Sequence, residues 1–217
     1  MRPNHRLPQN SPLKFVFPKI TLAKQFARTR IDFSHFLKRR IFQMAITIRA
    51  TPSTLTWANF TVTANQILDP ADGTLVDAYT SFNYNLPNLP PRKVSGRLYF
   101  PDPWNISITP KAQVWTSVTQ TAALLSHEQW HYDVGIVTGR ALVRRLASAS
   151  GATMGEMLSI LNEAVTLHFH TRAGILQKRY DKDTRHGTNA YYQKIWKDRM
   201  TQCLANPKAD QIGGFWL

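Results

Sequence analysis

Cysteine is almost absent from this chain, with Cys203 the only one among 217 residues. A single cysteine excludes an internal disulfide framework, and it excludes the Cys-rich sites that hold structural zinc. Any zinc bound by this chain must therefore be held by His, Asp or Glu side chains.

Long hydrophobic runs are also missing. No stretch of about 18 consecutive apolar residues is present that could span a membrane. Hydrophobic residues make up 43% of the chain and charged residues 18%, which is typical of globular proteins. We expect a globular protein without a membrane span.

Acidic residues are scarce, since 13 Asp and Glu stand against 27 Lys and Arg, for a net charge of +14. The excess is concentrated in residues 1–43, which contain ten Lys and Arg and the single acid Asp32. The remaining residues are only mildly basic, and they contain no recognition-helix or RNA-binding signature. We expect no specific nucleic-acid partner, and keep a basic nucleic-acid or anion-binding protein as an alternative.

Residues 1–43 have three competing interpretations: a disordered basic arm, an Arg-rich transit peptide, or upstream sequence preceding a true start at Met44. We favour the last, because Met44 is followed at once by strand-like sequence. The segment lacks the uninterrupted apolar stretch of a secretory signal, which favours a cytoplasmic location.

Residues 44–217 are expected to form one domain of the α+β class, with a small, mostly antiparallel sheet followed by three helices. Short Thr-, Val- and aromatic-rich runs broken by Pro and Gly indicate the strands. The predicted strands are Ile46–Ala50, Leu55–Thr63, Leu75–Tyr84, Val94–Phe100 and Asn105–Thr109. Capping boxes at Ser117 and Thr153 and the stop at Pro207 predict helices over 117–148, 153–180 and 189–205.

The stretch His127-Glu128-Gln129-Trp130-His131 is the strongest functional signal. Two imidazoles four residues apart share one helix face, which suits two adjacent corners of a zinc tetrahedron. Glu128 is offset by about 100° from His127, so we expect it to act as a general base beside the metal rather than as a ligand. A chain with seven His and three Glu rarely produces this pattern by chance.

A catalytic zinc site needs a third protein ligand. We favour His186, which lies in a polar connection between two helices, and Glu163 on the second helix is the runner-up. His168 and His170 are about 200° apart on that helix, and His168 is expected to be an ordinary buried histidine. Gly135 on the metal face has two interpretations: it admits the segment carrying the third ligand, or it permits close helix packing.

Other polar residues have weaker assignments. Asp133 points away from the two histidines and is expected to pair with Arg or anchor a neighbouring segment. Asp181 and Asp183 are candidates to orient a ligand histidine from behind, with a solvated role favoured for Asp183. Tyr180, Tyr191 and Tyr192 are candidate oxyanion donors, although core packing is favoured for each.

The run from His127 to Asp133, followed by Tyr180-Asp181, Thr184 and His186-Gly187, resembles a bacterial family of predicted zinc-dependent proteases, often secreted and otherwise a domain of unknown function. The family pairs an HEQxHFD helix with a YDxxTxHG segment, and Tyr132 replaces the Phe here. The resemblance covers roughly residues 94–196. It implies a zincin-like fold, with a sheet above the active-site helix, and a hydrolytic role.

The sequence therefore predicts a zinc metallopeptidase, an endopeptidase in which His127, His131 and His186 hold Zn²⁺ and Glu128 takes a proton from water. We expect an extended peptide substrate to pair with an edge strand, Asn105–Thr109. A zinc-dependent amidase acting on a non-peptide substrate is the alternative within the metal hypothesis. Oligomeric state is left open.

Overall fold

The computed structural model describes residues 46–217. The interpretations of residues 1–43 and of Met44 lie outside the described residues and stay predictions. The described part is a mixed α/β structure, as expected for the α+β class. No helix within 46–217 is both long and apolar enough to cross a membrane.

The strands are β1 (Ile46–Ala50), β2 (Phe60–Thr63), β3 (Ile67–Leu68), β4 (Leu75–Val76), β5 (Ala78–Asn85), β6 (Arg92–Val94), β7 (Arg97–Tyr99), β8 (Trp104–Trp115), β9 (Ser150–Gly151), β10 (Gln211–Ile212) and β11 (Phe215–Trp216). The helices are α1 (Ala122–Ala147), α2 (Met154–Val165), α3 (Ala173–Thr184) and α4 (Ala190–Ala205). A π-helical segment, Thr166–Arg172, joins α2 to α3 without a break, because the residues at both junctions keep helical backbone angles.

The main sheet is built around the long strand β8. β5 runs antiparallel along one edge of it, from Ala78 opposite Val114 to Asn85 opposite Ser107. β1 and β2 pair with β8 in the parallel direction at its two ends, and they share the other edge. The main sheet is therefore mixed, and the expectation of a mostly antiparallel sheet holds only for the smaller sheets.

The expectation that Asn105–Thr109 forms an edge strand is wrong. These residues belong to the central strand, where Ser107 and Ile108 pair with β1 on one side and β5 on the other. Their alternating pattern continues to Trp115, which extends the strand past the predicted end. Within the described residues, β5 forms one edge of the sheet and β1 and β2 form the other, and both β5 and β1 contact α1.

Two other predicted strands differ from the structure. The predicted strand Val94–Phe100 is instead a hairpin of β6 and β7, because Ser95 and Gly96 both adopt positive φ, as a tight hairpin turn requires. The first half of the predicted strand Leu55–Thr63 is a loop followed by a single 3-10 turn, Trp57–Asn59.

The predicted helices are confirmed, with two boundary changes. α1 begins after Thr121, whose side chain accepts a hydrogen bond from the Leu124 N–H, rather than at Ser117. The second helix is capped by Thr153 as predicted, but it continues past Tyr180 to Thr184. Asn189 caps α4, in agreement with the sequence.

Helix α1 is covered on both sides. Every residue from Trp130 to Gly139 is buried, because the sheet packs against one face and α3 and α4 pack against the other. Tyr132 faces the sheet and donates a hydrogen bond to the Ile108 carbonyl, whereas Trp130 faces α4 and donates to the Trp196 carbonyl. Residues on α1 are thus held from two sides.

Gly135 permits close packing of α1 against the sheet. A Cβ atom at this position would lie 2.5 Å from Cγ of the Phe82 side chain on β5. Gly139 one turn later is similar, since its Cβ would lie 2.6 Å from Ile48 Cδ1. Of the two interpretations of Gly135, close packing is correct, and the segment it admits brings Phe82 rather than a metal ligand.

We predict that Gly135→Ala lowers the free energy of unfolding by about 1 to 2 kcal/mol, because overpacking outweighs the better helix propensity of Ala. Gly174→Ala is the matched control, since a Cβ there meets nothing within 4 Å inside a continuous helix, and it should stabilise the protein by up to about 1 kcal/mol. Urea unfolding measures both. Equal stability of the two variants would contradict the packing argument.

Candidate metal centre

Helix α1 places His127 and His131 side by side in the interior. Their exposed fractions are 3% and 6%, and their Nε2 atoms are 3.3 Å apart. Neither Nδ1 atom has a hydrogen-bond partner in residues 46–217. Two buried imidazoles that face each other through the same ring nitrogen are an arrangement that a shared cation satisfies.

Asp181 on α3 completes a compact group with these histidines. Its Oδ1 lies 2.9 Å from His131 Nε2 and 3.2 Å from His127 Nε2. Ligand bonds of about 2.0 to 2.1 Å at tetrahedral angles place neighbouring ligand atoms about 3.3 to 3.4 Å apart. The His127–His131 and His127–Asp181 separations are close to this value and the His131–Asp181 separation is shorter, so the group could hold a metal ion once these atoms move slightly apart.

Asp181 is held in its ionised form. Burial alone would raise its pKa, but the adjacent imidazoles of His131 and His127 outweigh burial and hold the pKa of this carboxyl well below its usual range. An ionised carboxylate with two imidazoles is a donor set that suits zinc. Asp181 was expected to support a ligand histidine from behind, and the structure instead places its carboxylate with both imidazoles in one group that could hold a metal ion.

Glu128 lies beside this group and is 2% exposed. Its Oε2 is buried without a hydrogen-bond partner in the described part of the chain, and the side chain lines the same cavity as His127 and His131. A buried carboxylate oxygen without a partner is costly unless a proton, a water molecule or a cation meets it. The assignment of Glu128 as a general base stays a prediction.

His186 lies close to the group but outside it. It follows α3 in a left-handed turn, with φ of 50°, and its Nδ1 is 3.8 Å from Asp181 Oδ1. Its other ring nitrogen, Nε2, is 3.5 Å from Asp72 Oδ2. The residues with which it could share an ion are Asp69 and Asp181 rather than the two histidines of α1. Its assignment as the third ligand beside His127 and His131 stays a prediction.

Glu163, the runner-up, lies elsewhere. Its side chain is 65% exposed, accepts a hydrogen bond from Ser159 and lies 4.0 Å from Arg145. Within the described residues it belongs to neither potential metal group. The choice of Glu163 as a ligand is therefore wrong, because its face of the helix points to Arg145 and solvent.

The other weaker assignments have mixed outcomes. His168 is a buried histidine whose Nδ1 lies 3.0 Å from the Leu217 carbonyl, and burial together with nearby Arg172 lowers its pKa to about 4. Asp183 is not simply solvated, because it accepts hydrogen bonds from Trp196 and Arg179. Tyr191 and Tyr192 are 70% and 42% exposed, so the core-packing interpretation is wrong for both.

The spacing from Tyr180 to Gly187 has a physical explanation. Tyr180 stacks between Trp130 and His127, with ring centroids 3.9 and 4.7 Å away, and so fixes the neighbouring Asp181. Thr184 donates to the Tyr180 carbonyl and accepts from the Gly187 N–H. Gly187 has φ of 84°, and a Cβ there would lie 3.2 Å from Cγ of His127.

Gln129 and Asp133 anchor a loop to α1, in agreement with one expectation for Asp133. Gln129 accepts a hydrogen bond from the Leu55 N–H at 2.6 Å and donates to Asp133 Oδ1 at 2.8 Å. Burial raises the pKa of Asp133 to about 6, although Gln129 and the charge of Arg140 oppose the shift.

Three residues that line the cavity could not be identified from the sequence. Asp69, Tyr79 and Thr80 line it beside the histidines. They come from the β3–β4 hairpin and from β5, at least 47 positions before His127. The packing of β5 against α1 brings these residues to the motif, and no local sequence pattern reveals that tertiary contact.

Comparisons with protein-family models, with curated proteins and with solved structures give no match to this chain.

We predict that the protein binds zinc tightly and that Asp181→Asn or His131→Ala weakens this binding by more than about 100-fold, because each removes a ligand rather than an outer contact. Zinc titration of the metal-free protein measures it. Asp183→Asn, two positions along α3, should bind zinc like the wild type. Unchanged zinc affinity in Asp181→Asn would exclude Asp181 as a ligand.

A second prediction concerns Asp133. Its pKa is about 6 in the folded protein against 3.8 for an unperturbed Asp, so the folded state binds the proton more tightly and loses stability as pH rises from about 4 to 6. In metal-free buffer, the Asp133→Asn variant should lose roughly 2 to 3 kcal/mol less unfolding free energy than the wild type over this pH range. Unfolding at pH 4 and pH 7 tests it, with Asp198→Asn on α4 as the control. A parallel pH response in wild type and Asp133→Asn would contradict the burial argument.

Proposed function

We propose that this protein is a zinc-dependent metallopeptidase. The observation that carries the proposal is the buried group of His127, His131 and Asp181, with the unpartnered carboxylate of Glu128 beside it in one cavity. The resemblance of its two motifs to zinc-dependent proteases supports the same conclusion. The packing of α1 against the main sheet also supports it, because a zincin-like fold implies a sheet above the active-site helix.

His127, His131 and Asp181 are the residues that would hold the ion. When bound, zinc supplies a Lewis acid that polarises a carbonyl and lowers the pKa of a water molecule. A purely structural zinc site has four closed protein ligands and no base. The three-residue group next to Glu128 favours catalysis over a structural role.

Glu128 is the general base in this proposal. Its buried Oε2 accepts a proton from the attacking water, and the protonated carboxyl then delivers that proton to the nitrogen of the leaving amine. The absence of a competing hydrogen bond to Oε2 within residues 46–217 leaves this oxygen available for the transfer.

Strand β5 replaces Asn105–Thr109 as the edge on which an extended peptide binds. It pairs only with β8 within the described residues, and its residues Ala78, Tyr79 and Thr80 line the cavity. An extended peptide can add to such an edge through main-chain hydrogen bonds, and its scissile bond would then lie beside the metal group.

Tyr79 is the hydroxyl on this strand best suited to stabilise the developing oxyanion. Burial raises its pKa, a hydrogen bond with Ser81 opposes the shift, and the nearby negative charges of Asp69, Asp181 and Glu128 add to it. Its hydroxyl therefore stays protonated and able to donate a hydrogen bond.

We predict that Glu128→Gln lowers peptide turnover by at least about 100-fold and leaves zinc binding intact, because it removes the base and no ligand. Cleavage of a peptide mixture followed by mass spectrometry measures turnover, and elemental analysis measures zinc. Glu163→Gln, an exposed carboxylate outside the site, is the control and should retain full activity. Wild-type cleavage by Glu128→Gln would exclude Glu128 as the base.

A further inference from the structure

The charges around the cavity are opposite to those of the chain as a whole. The chain carries 27 Lys and Arg against 13 Asp and Glu, yet the cavity beside the histidines is lined by four acids and no Lys or Arg: Asp69, Asp77, Glu128 and Asp181. One divalent ion bound by neutral imidazoles balances two of these four charges. The cavity has the capacity for another cation.

Asp69 is one of the buried acids beside which such a cation would lie. Its exposed fraction is 4%, and its Oδ1 accepts a hydrogen bond from the Ala71 N–H at 2.8 Å. Its backbone closes the β3–β4 hairpin, because its N–H donates to the Thr74 carbonyl and its carbonyl accepts from the Gly73 N–H. The hairpin thus fixes a buried carboxylate at the cavity wall, and buried charges are normally paired or bound to metal.

Asp69 lies in a second group of potential ligands. Asp69, Asp181 and His186 each offer a ligand atom, and these atoms all lie within 4.8 Å of one another. Asp181 belongs both to this group and to the group with His127 and His131. One carboxylate between two groups of ligands is the arrangement of a bridged pair of ions.

The orientation of His186 fits a ligand of this second group. Its Nδ1 faces Asp181, while Nε2 lies 3.5 Å from Asp72 Oδ2 and 3.4 Å from Thr74 Oγ1. In metal-binding histidines, the ring nitrogen that does not bind the ion usually donates a hydrogen bond to a carboxylate, which fixes the tautomer and the ring orientation. Asp72 stands in that position.

A further polar group of the same cavity has no partner. The Thr80 hydroxyl is buried on a side chain that is 1% exposed, and like Glu128 Oε2 it lacks a hydrogen-bond partner in the described part of the chain. Both side chains line the cavity that contains the two ligand groups. Unpartnered buried groups indicate that water or a ligand is bound there when the site is complete.

We propose that Asp69, Asp181 and His186 form a second divalent-cation site, so that the centre holds two ions bridged by Asp181. This inference rests on the proposed metallopeptidase function, because it assumes that His127, His131 and Asp181 hold the first ion. It assigns His186 to the second ion rather than the first. The second ion neutralises Asp69 and supplies a second Lewis acid at the cavity, which is the chemistry of two-metal hydrolases.

Zinc titration of the full chain tests the second site by stoichiometry. The wild type should bind two equivalents, one tight and one weaker. Asp69→Asn and His186→Ala should each keep the tight equivalent and weaken the other by more than about 100-fold. Asp77→Asn is the matched control: Asp77 lines the same cavity but accepts a hydrogen bond from Gln66 and lies outside the group, so two equivalents should remain.

The outcomes separate the two proposals. One tight equivalent in the wild type that is unaffected by Asp69→Asn would overturn the second site and leave the metallopeptidase proposal standing. Loss of the tight equivalent in His186→Ala would overturn the assignment of His186 to the second ion. A wild type that binds no zinc would overturn both proposals.

Electron paramagnetic resonance with Mn²⁺ as the probe tests the bridge itself. Two ions that share one carboxylate lie about 3.5 to 4 Å apart and are magnetically coupled. A coupled spectrum at two equivalents that becomes an isolated-ion spectrum in Asp69→Asn is the expected result. Isolated-ion spectra at full loading of the wild type would overturn the bridge.

Discussion

The contact of Asp181 with His127 and His131 is the interaction on which the site depends. It joins α1 to α3 through one carboxylate oxygen within 3.2 Å of both imidazoles. On the helix side this contact packs against the aromatic rings of Tyr180 and Trp130, and on the other side it borders the polar cavity. A cation bound among them would satisfy the carboxylate and both rings at once. The same contact therefore matters both for the proposed metal site and for the stability of the interior.

Packing on both sides of α1 positions His127, His131 and Asp181. On the sheet side, Gly135 and Gly139 let β5 and β1 approach closely, which places the edge of β5 beside the histidines. On the helix side, Tyr180 stacks on Trp130 and His127 and carries Asp181 with it. The cavity lies at the edge of the sheet, which is where the proposed peptide substrate would bind.

The parts of the structure that local patterns encode were predictable. Side-chain caps at Thr153 and Asn189 mark helix starts, and the His-Glu-x-x-His spacing places two imidazoles on one face whatever surrounds them. Asp181 was assigned to orient a ligand histidine rather than to the group with His127 and His131, because its position depends on how α3 packs against α1. The edge strand was misassigned because pairing partners are set by tertiary contacts: Asn105–Thr109 alternates like an edge strand but lies in the centre of the sheet.

A crystal structure of the zinc-loaded protein, with an anomalous difference map recorded at the zinc absorption edge, would show whether His127, His131 and Asp181 hold the ion. We expect a peak at about 2.0 to 2.2 Å from Nε2 of His127, Nε2 of His131 and a carboxylate oxygen of Asp181. A strong zinc peak elsewhere, or no peak among these residues in fully loaded protein, would contradict it.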